Sequence, residues 1–233
     1  FRYVAVESED ELTKEEAKIW LLRVYNQENE FAEASAAMRQ VRKGMLTEEL
    51  KADFHAAEAE YFILQKRYEE ALDVLDLAIK AEKRKRVRAR YTFIKGQLYD
   101  ALERPEEAYR AFSDCLEFRP EYAMEFQARI RMAKNAGNNN AADLRAMFKK
   151  MLRDDKNIEY RDQIYYALAL LDLSENKKED AIEHLQSSIK ESTNNQVQKA
   201  SSFLLLAELN LEAQAYAPAQ AYYDSTASLI SKD

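Results

Sequence analysis

The sequence is short of the residues that bend a backbone, with 3 glycines and 3 prolines among 233 positions. A sheet protein needs tight-turn chemistry at regular intervals, and that scarcity leaves little of it. A single cysteine, Cys115, excludes an intrachain disulfide. The two histidines, His55 and His184, are far apart in the chain and show no metal-ligand spacing. No apolar run is long enough to span a bilayer. Cationic excess is also missing. The formal net charge is −7, whereas a general nucleic-acid binder is expected to be basic. No glycine-rich phosphate loop and no Gly-x-Ser-x-Gly elbow is present. No signal peptide is visible, and because the first residue is Phe1 and not Met an upstream targeting segment is expected to be missing from this segment.

What the chain does have is a soluble protein's interior, 47% hydrophobic with 33% charged residues. Its apolar residues recur at intervals of three and four, which predicts helix almost throughout. A small-residue slot recurs at Ala34, Ala71, Ala108, then Leu144, Ala181 and Ala219. The gaps are 37, 37, 36, 37 and 38 residues. A bulky apolar residue follows four positions later each time: Met38, Leu75, Phe112, Phe148, Leu185 and Tyr223. Three further on stand Val41, Ala78, Cys115, Met151, Ser188 and Thr226. A period in this range marks stacked units, each burying its apolar flank against its neighbours.

Each unit reads as two helices. In the third, the first helix runs from about Ala89 to Ala101 and carries Gly96 and Tyr99. The second begins near Pro105, carries Ala108, Phe112 and Cys115, and is stopped by Pro120. Gly96 is placed to let the two helices approach closely. The aromatic at Tyr99 has counterparts in Tyr25 and Phe62, then fades to Asn135, Asp172 and Asn210. These residues resemble the tetratricopeptide repeat, a helix–turn–helix unit of 34 residues. The excess of about three residues is close to one helical turn, which predicts lengthened helices and not long loops. Gly137-Asn138-Asn139-Asn140 is expected to form the turn of the fourth unit, with Gly137 as a helix C-cap. Thr13 is expected to cap the first helix, with Glu16 completing a capping box. The predicted fold is all-α, a right-handed α–α superhelix of about six units. They start near residues 15, 52, 89, 125, 162 and 200 and follow a lead-in segment, 1–14.

Four stretches lie outside the generic slots: Arg88–Phe93, Tyr122–Ile130, Met151–Asn157 with Asp162–Leu168, and Ala221–Thr226. They resemble the SprE/PorW-like tetratricopeptide lipoproteins associated with gliding motility and type IX secretion. The resemblance covers roughly residues 50–230, and the Met151–Leu168 stretch is its most specific part. It implies a non-enzymatic scaffold at the periplasmic face of the outer membrane, held there through a lipid anchor outside this segment.

No catalytic constellation is found, and no cofactor, metal or small-molecule substrate is expected. Cys115 fills a packing slot, whereas a reactive thiol needs an exposed electropositive setting. In stacks of this kind the first helices line the concave face. By that register Arg90, Phe93, Gln97, Arg129 and Tyr166 form the expected groove for a peptide or partner-protein segment, with aromatics supplying area and arginines forked donors. Asp53 and Glu60 fall on the same face. Lys80 to Arg90 holds seven basic residues and one acid. Within it Lys83, Arg84, Lys85, Arg86 and Arg88 form a candidate patch for an acidic partner. The plainer account is a solvated run at a helix C-terminus, where the macrodipole favours cations. Helical-repeat RNA binding through residues 80–90 is the alternative function, and the negative overall charge argues against it.

Overall fold

The computed structural model describes residues 1–230, with every side chain among them except those of Asn138 and Asn139. Thirteen α-helices and two short 3-10 turns make up the ordered elements among the described residues, with no strand. A six-residue helix α1 (Arg2–Glu7) precedes six helix pairs. These are α2 (Glu11–Gln27) with α3 (Phe31–Gln40), α4 (Glu48–Leu64) with α5 (Tyr68–Ala81), and α6 (Lys85–Ala101) with α7 (Pro105–Glu117). Then come α8 (Tyr122–Lys134) with α9 (Asn138–Met151), α10 (Arg161–Ser174) with α11 (Lys178–Glu191), and α12 (Gln196–Glu212) with α13 (Tyr216–Ile230). The chain groups into two compact units, Phe1–Ala128 and Arg129–Asp233.

Local chemistry explains the helix starts. Asp10, not Thr13, caps α2. Its carboxylate accepts from the Thr13 backbone N–H at 2.8 Å and from the Thr13 hydroxyl at 2.5 Å. The capping-box expectation is therefore corrected: Thr13 already lies inside the first turn. Thr47 caps α4 and Asn195 caps α12, each accepting from a backbone N–H three residues on. Pro105 takes the first position of α7, followed by Glu106 and Glu107 at the positive end of the dipole. In four of the six pairs the first helix has 17 residues, so the extra turn sits at its N-terminus.

The turns inside the pairs repeat as well, without glycine. Asn29, Lys66, Glu103, Asn176 and Gln214 all hold the left-handed conformation, with φ between 56° and 60°. The residue after each donates its N–H back to the carbonyl five positions earlier, as in Glu30 to Tyr25 at 2.8 Å and Arg104 to Tyr99 at 2.9 Å. The fourth pair differs. Gly137 has φ −76° and stands at the N-cap of α9, which Asn138 opens. The expected C-cap role of Gly137 is thus corrected, and the expected four-residue turn is the start of a helix.

All six small slots are buried, Leu144 included. Each core joins one pair to the first helix of the next. Ile19 and Leu22 of α2 meet Ala34 and Ala37 of α3 and Phe54 of α4. Ala71 and Leu75 of α5 meet Ala59 of α4 and Leu98 of α6. In the second unit, Ala169, Ala181, Leu185, Leu206 and Leu209 repeat the arrangement. A Cβ on Gly96 would lie 2.6–2.8 Å from the ring of Phe112. It is this fully buried ring, and not a neighbouring backbone, that fills the space glycine leaves.

Where the recurring aromatic gives way to Asp172, an ionic cluster takes its place. The Asp172 carboxylate is fully buried and accepts from Arg145 and from His184 Nδ1, each at 2.5 Å. Arg145 also reaches Glu175 at 2.7 Å, and Tyr165 stacks on His184. Glu15 is comparably buried. Burial alone would raise its pKa, but Lys18 at 2.8 Å and Arg42 at 2.6 Å outweigh that and lower it.

A candidate partner-binding groove on the first helices

Two hollows lie side by side on the first helices of residues 1–128. One, of about 660 Å³, runs across α2, α4 and α6 and is walled by Trp20, Ile63, Leu64, Val87, Arg90 and Ile94 among others. The second, of about 590 Å³, lies between α6 and α8. Val87, Phe93, Pro120, Ala123 and Met124 give it an apolar lining; Arg86, Arg90, Glu121 and Gln127 make it polar at the edges. Val87 and Arg90 belong to both, so α6 is the shared wall.

The added N-terminal turn of α6 explains this placement. Counting from Ala89 as the first helical residue would leave Val87 and Arg86 outside the helix, but α6 begins at Lys85. Helix α8, at 13 residues, is not lengthened, but it starts at Tyr122, ahead of the expected 125, which brings in Ala123 and Met124. Trp20 is 41% exposed, with the Arg23 guanidinium 5.0 Å from its ring centroid. Arg23 also donates to Asp53 at 3.0 Å. Glu60 accepts from Gln27 at 2.8 Å and from Asn26 at 3.3 Å. Tyr91 has its pKa raised, first by burial and then by Asp53.

The expected groove residues divide between the two compact units. Arg90 and Phe93 line the α6–α8 hollow, and Gln97 lies one turn further along α6, half-buried. Phe93 packs edge-on against Phe112 at 5.3 Å, which ties the groove floor to the core. Arg129 and Tyr166 belong to the second unit and line neither hollow. Tyr166 is half-buried against the core of Ala169, Leu185 and Leu206. Its hydroxyl pKa is raised, first by burial and then by Glu208. Sequence reasoning missed Trp20, Val87, Met124 and Gln127 as lining residues.

The basic segment is placed differently from expectation. Only Lys80 occupies the last turn of α5. Lys85, Arg86 and Arg88 lie in the opening turns of α6, whose first turn holds no acidic residue. The macrodipole there disfavours cations, so the account of a run stabilised at a helix C-terminus is corrected. Arg84 folds back onto buried Glu82 through two hydrogen bonds of 3.0 and 2.8 Å. Arg86 pairs with Glu121 at 2.9 Å, and the Arg88 guanidinium lies 4.4 Å from the Phe118 ring centroid. Lys83, Lys85 and Arg90 are exposed and make no ion pair among the described residues.

Cys115 is fully buried with its thiol donating to the Ala89 carbonyl at 3.2 Å, and burial pushes its pKa up to about 11. Among the described residues there is no group of acids, histidines or cysteines able to hold a metal, and no helix is long and apolar enough to cross a membrane.

No protein-family model and no curated protein matches the sequence. Solved structures do. YrrB, a TPR protein with an unusual peptide-binding site, superposes with a TM-score of 0.60 at 16% identity, over 84% of this chain and 94% of its own. The apo form of RapI gives a TM-score of 0.70 at 14% identity, over 100% of this chain and 69% of its own. The fold is of the tetratricopeptide type. NprR in complex with its cognate peptide NprX gives 0.51 at 11% identity, over 96% of this chain and 69% of its own. At such identities the likeness establishes fold and nothing finer.

Proposed function

We propose that this chain is a non-enzymatic scaffold that holds a peptide or an extended segment of a partner protein along the first helices of residues 1–128. The observation that carries this reading is the pair of adjoining hollows with apolar floors and polar edges, sharing α6 as a wall. Pockets of this make-up accept side chains in succession while edge groups fix their orientation. Two proteins of the same fold have peptide sites by their own descriptions, YrrB and NprR. A protein segment is favoured over RNA because Arg84, Arg86 and Arg88 are engaged by Glu82, Glu121 and Phe118. The resemblance of the Met151–Leu168 stretch to gliding and secretion lipoproteins supports placing the scaffold in an envelope assembly, at the periplasmic face of the outer membrane.

A photo-crosslinking amino acid placed at Ala123 or at Gln127 tests the site. Adducts from cell extract are expected at both, and none is expected from the exposed Asp114 on α7. Ala123→Glu, which pushes a charged side chain into the α6–α8 hollow from an exposed position, is expected to remove the adduct at Gln127. Equal adduct yield from Asp114 and from the groove positions would defeat the reading.

A further inference from the structure

The distribution of charge along the groove is uneven. Among the described residues Glu60, at the α2–α4 end, is hydrogen-bonded only to the amides of Asn26 and Gln27, and Arg23 in the same hollow is paired with Asp53, so the Glu60 charge is not neutralised by an ion pair there. At the α6–α8 end the one acid, Glu121, is already paired with Arg86. Arg90, on the wall shared by both hollows, is exposed and has no ion pair among the described residues. Lys83 and Lys85 stand nearby in sequence in the same condition. The unpaired charge along the groove is therefore negative at the α2–α4 end and positive at the shared α6 wall. The segment from Lys80 to Arg90 carries +6 in a chain whose total is −7.

The geometry points to an occupant of definite chemistry: a segment of a partner protein in which an acidic side chain stands beside an apolar one. Its carboxylate meets Arg90. Its apolar side chain enters the hollow formed by Val87, Phe93, Ala123 and Met124. This inference rests on the peptide-binding reading above and adds the composition and direction of the ligand. Guanidinium groups suit the work because their planar fork matches both oxygens of a carboxylate. The low-dielectric walls of a cleft strengthen that pairing relative to open water. Glu60 repels an acid from the other hollow, so the charge pattern orients the segment as well as attracting it. The apolar side chain supplies affinity through burial, and the acid supplies register.

The test is a random peptide library displayed with its C-terminus joined to a carrier protein, so that every enriched carboxylate is a side chain. On the wild-type chain, Asp or Glu next to Leu, Ile, Phe or Met is expected to be enriched. A synthetic peptide of that consensus is then titrated against wild type and Arg90→Gln, with helical content checked by circular dichroism. Exchanging the acid for its amide is expected to weaken wild-type binding about tenfold and to leave the Arg90→Gln affinity nearly unchanged, as for directly coupled groups. Enrichment without an acid preference overturns the inference while the peptide-binding reading stands. So does an acid-to-amide loss that is equal in Arg90→Gln, or one abolished instead by Lys83→Gln and Lys85→Gln. Enrichment confined to a parallel library with free C-termini assigns the groove to chain ends and overturns it too. No enrichment over carrier alone removes the peptide-binding reading and this inference together.

Discussion

Gly96 shows how one residue sets the spacing of a helix pair. The Phe112 ring occupies the volume a side chain would need and is itself fully buried, with Phe93 edge-on against it. The ring has nowhere to move without disturbing the groove floor. Gly96→Ala would gain about 1 kcal/mol of helix propensity against an overpacking cost of about 1–3 kcal/mol. A net loss of about 1 kcal/mol is expected by urea unfolding, and the loss is expected to shrink in a Phe112→Leu background. An alanine variant as stable as wild type would show that the ring has free space. The closeness at Gly96 was legible in the sequence, since glycine stands where the repeat holds a small residue. The occupant was not legible, because a residue spacing does not say whether backbone or side chain fills a gap. Arg90 and Phe93 were likewise legible from helical register. Ala123, Met124 and Val87 were not, because they lie ahead of the first helical position that the 34-residue motif assigns to α8 and α6.

At the scale of the element, the extra residues per unit were legible as lengthened helices, and in four of the six pairs the structure assigns them to the start of the first helix. That shift explains two corrections together. It draws Thr13 inside α2, with Asp10 as the cap, and it moves the basic run from the tail of α5 to the head of α6. The turns were less legible because they use left-handed residues that no glycine announces. Asparagine at 29 and 176 tolerates that conformation through its short polar side chain, whereas Lys66, Glu103 and Gln214 bear its steric cost. Glu103→Gly is therefore expected to stabilise the chain by about 0.5–1 kcal/mol, the relief of a left-handed Cβ clash less the added freedom of the unfolded glycine. Thermal unfolding checks this. Asn29→Gly serves as the control and is expected to change stability less. A fall in stability at residue 103 would mean that the Glu103 side chain contributes more than the strain costs.

At the scale of the molecule, the substantial contacts join helices no more than two places apart along the chain, as in α2 with α4, α5 with α6 and α10 with α12. Each core accordingly contains only consecutive elements. Stability in such a stack is a sum of local terms and nearest-neighbour terms, and sub-global openings follow the same boundaries. A local defect should then remain local. Native-state hydrogen exchange on Gly96→Ala is expected to show lost protection in α6 and α7, a smaller loss in α5, and none in α12 and α13. The compact units at Phe1–Ala128 and Arg129–Asp233 sharpen the expectation, because Gly96 and α12–α13 fall on opposite sides of that division. A uniform loss of protection along the chain would instead require the two units to open together. Binding would then draw on the stability of the whole chain, and a ligand seated at Arg90 would protect α12 and α13 as strongly as α6. The same exchange experiment, repeated with a groove peptide bound, separates these outcomes: protection confined to α2, α4, α6 and α8 is expected when the defect and the ligand are both felt only by neighbours.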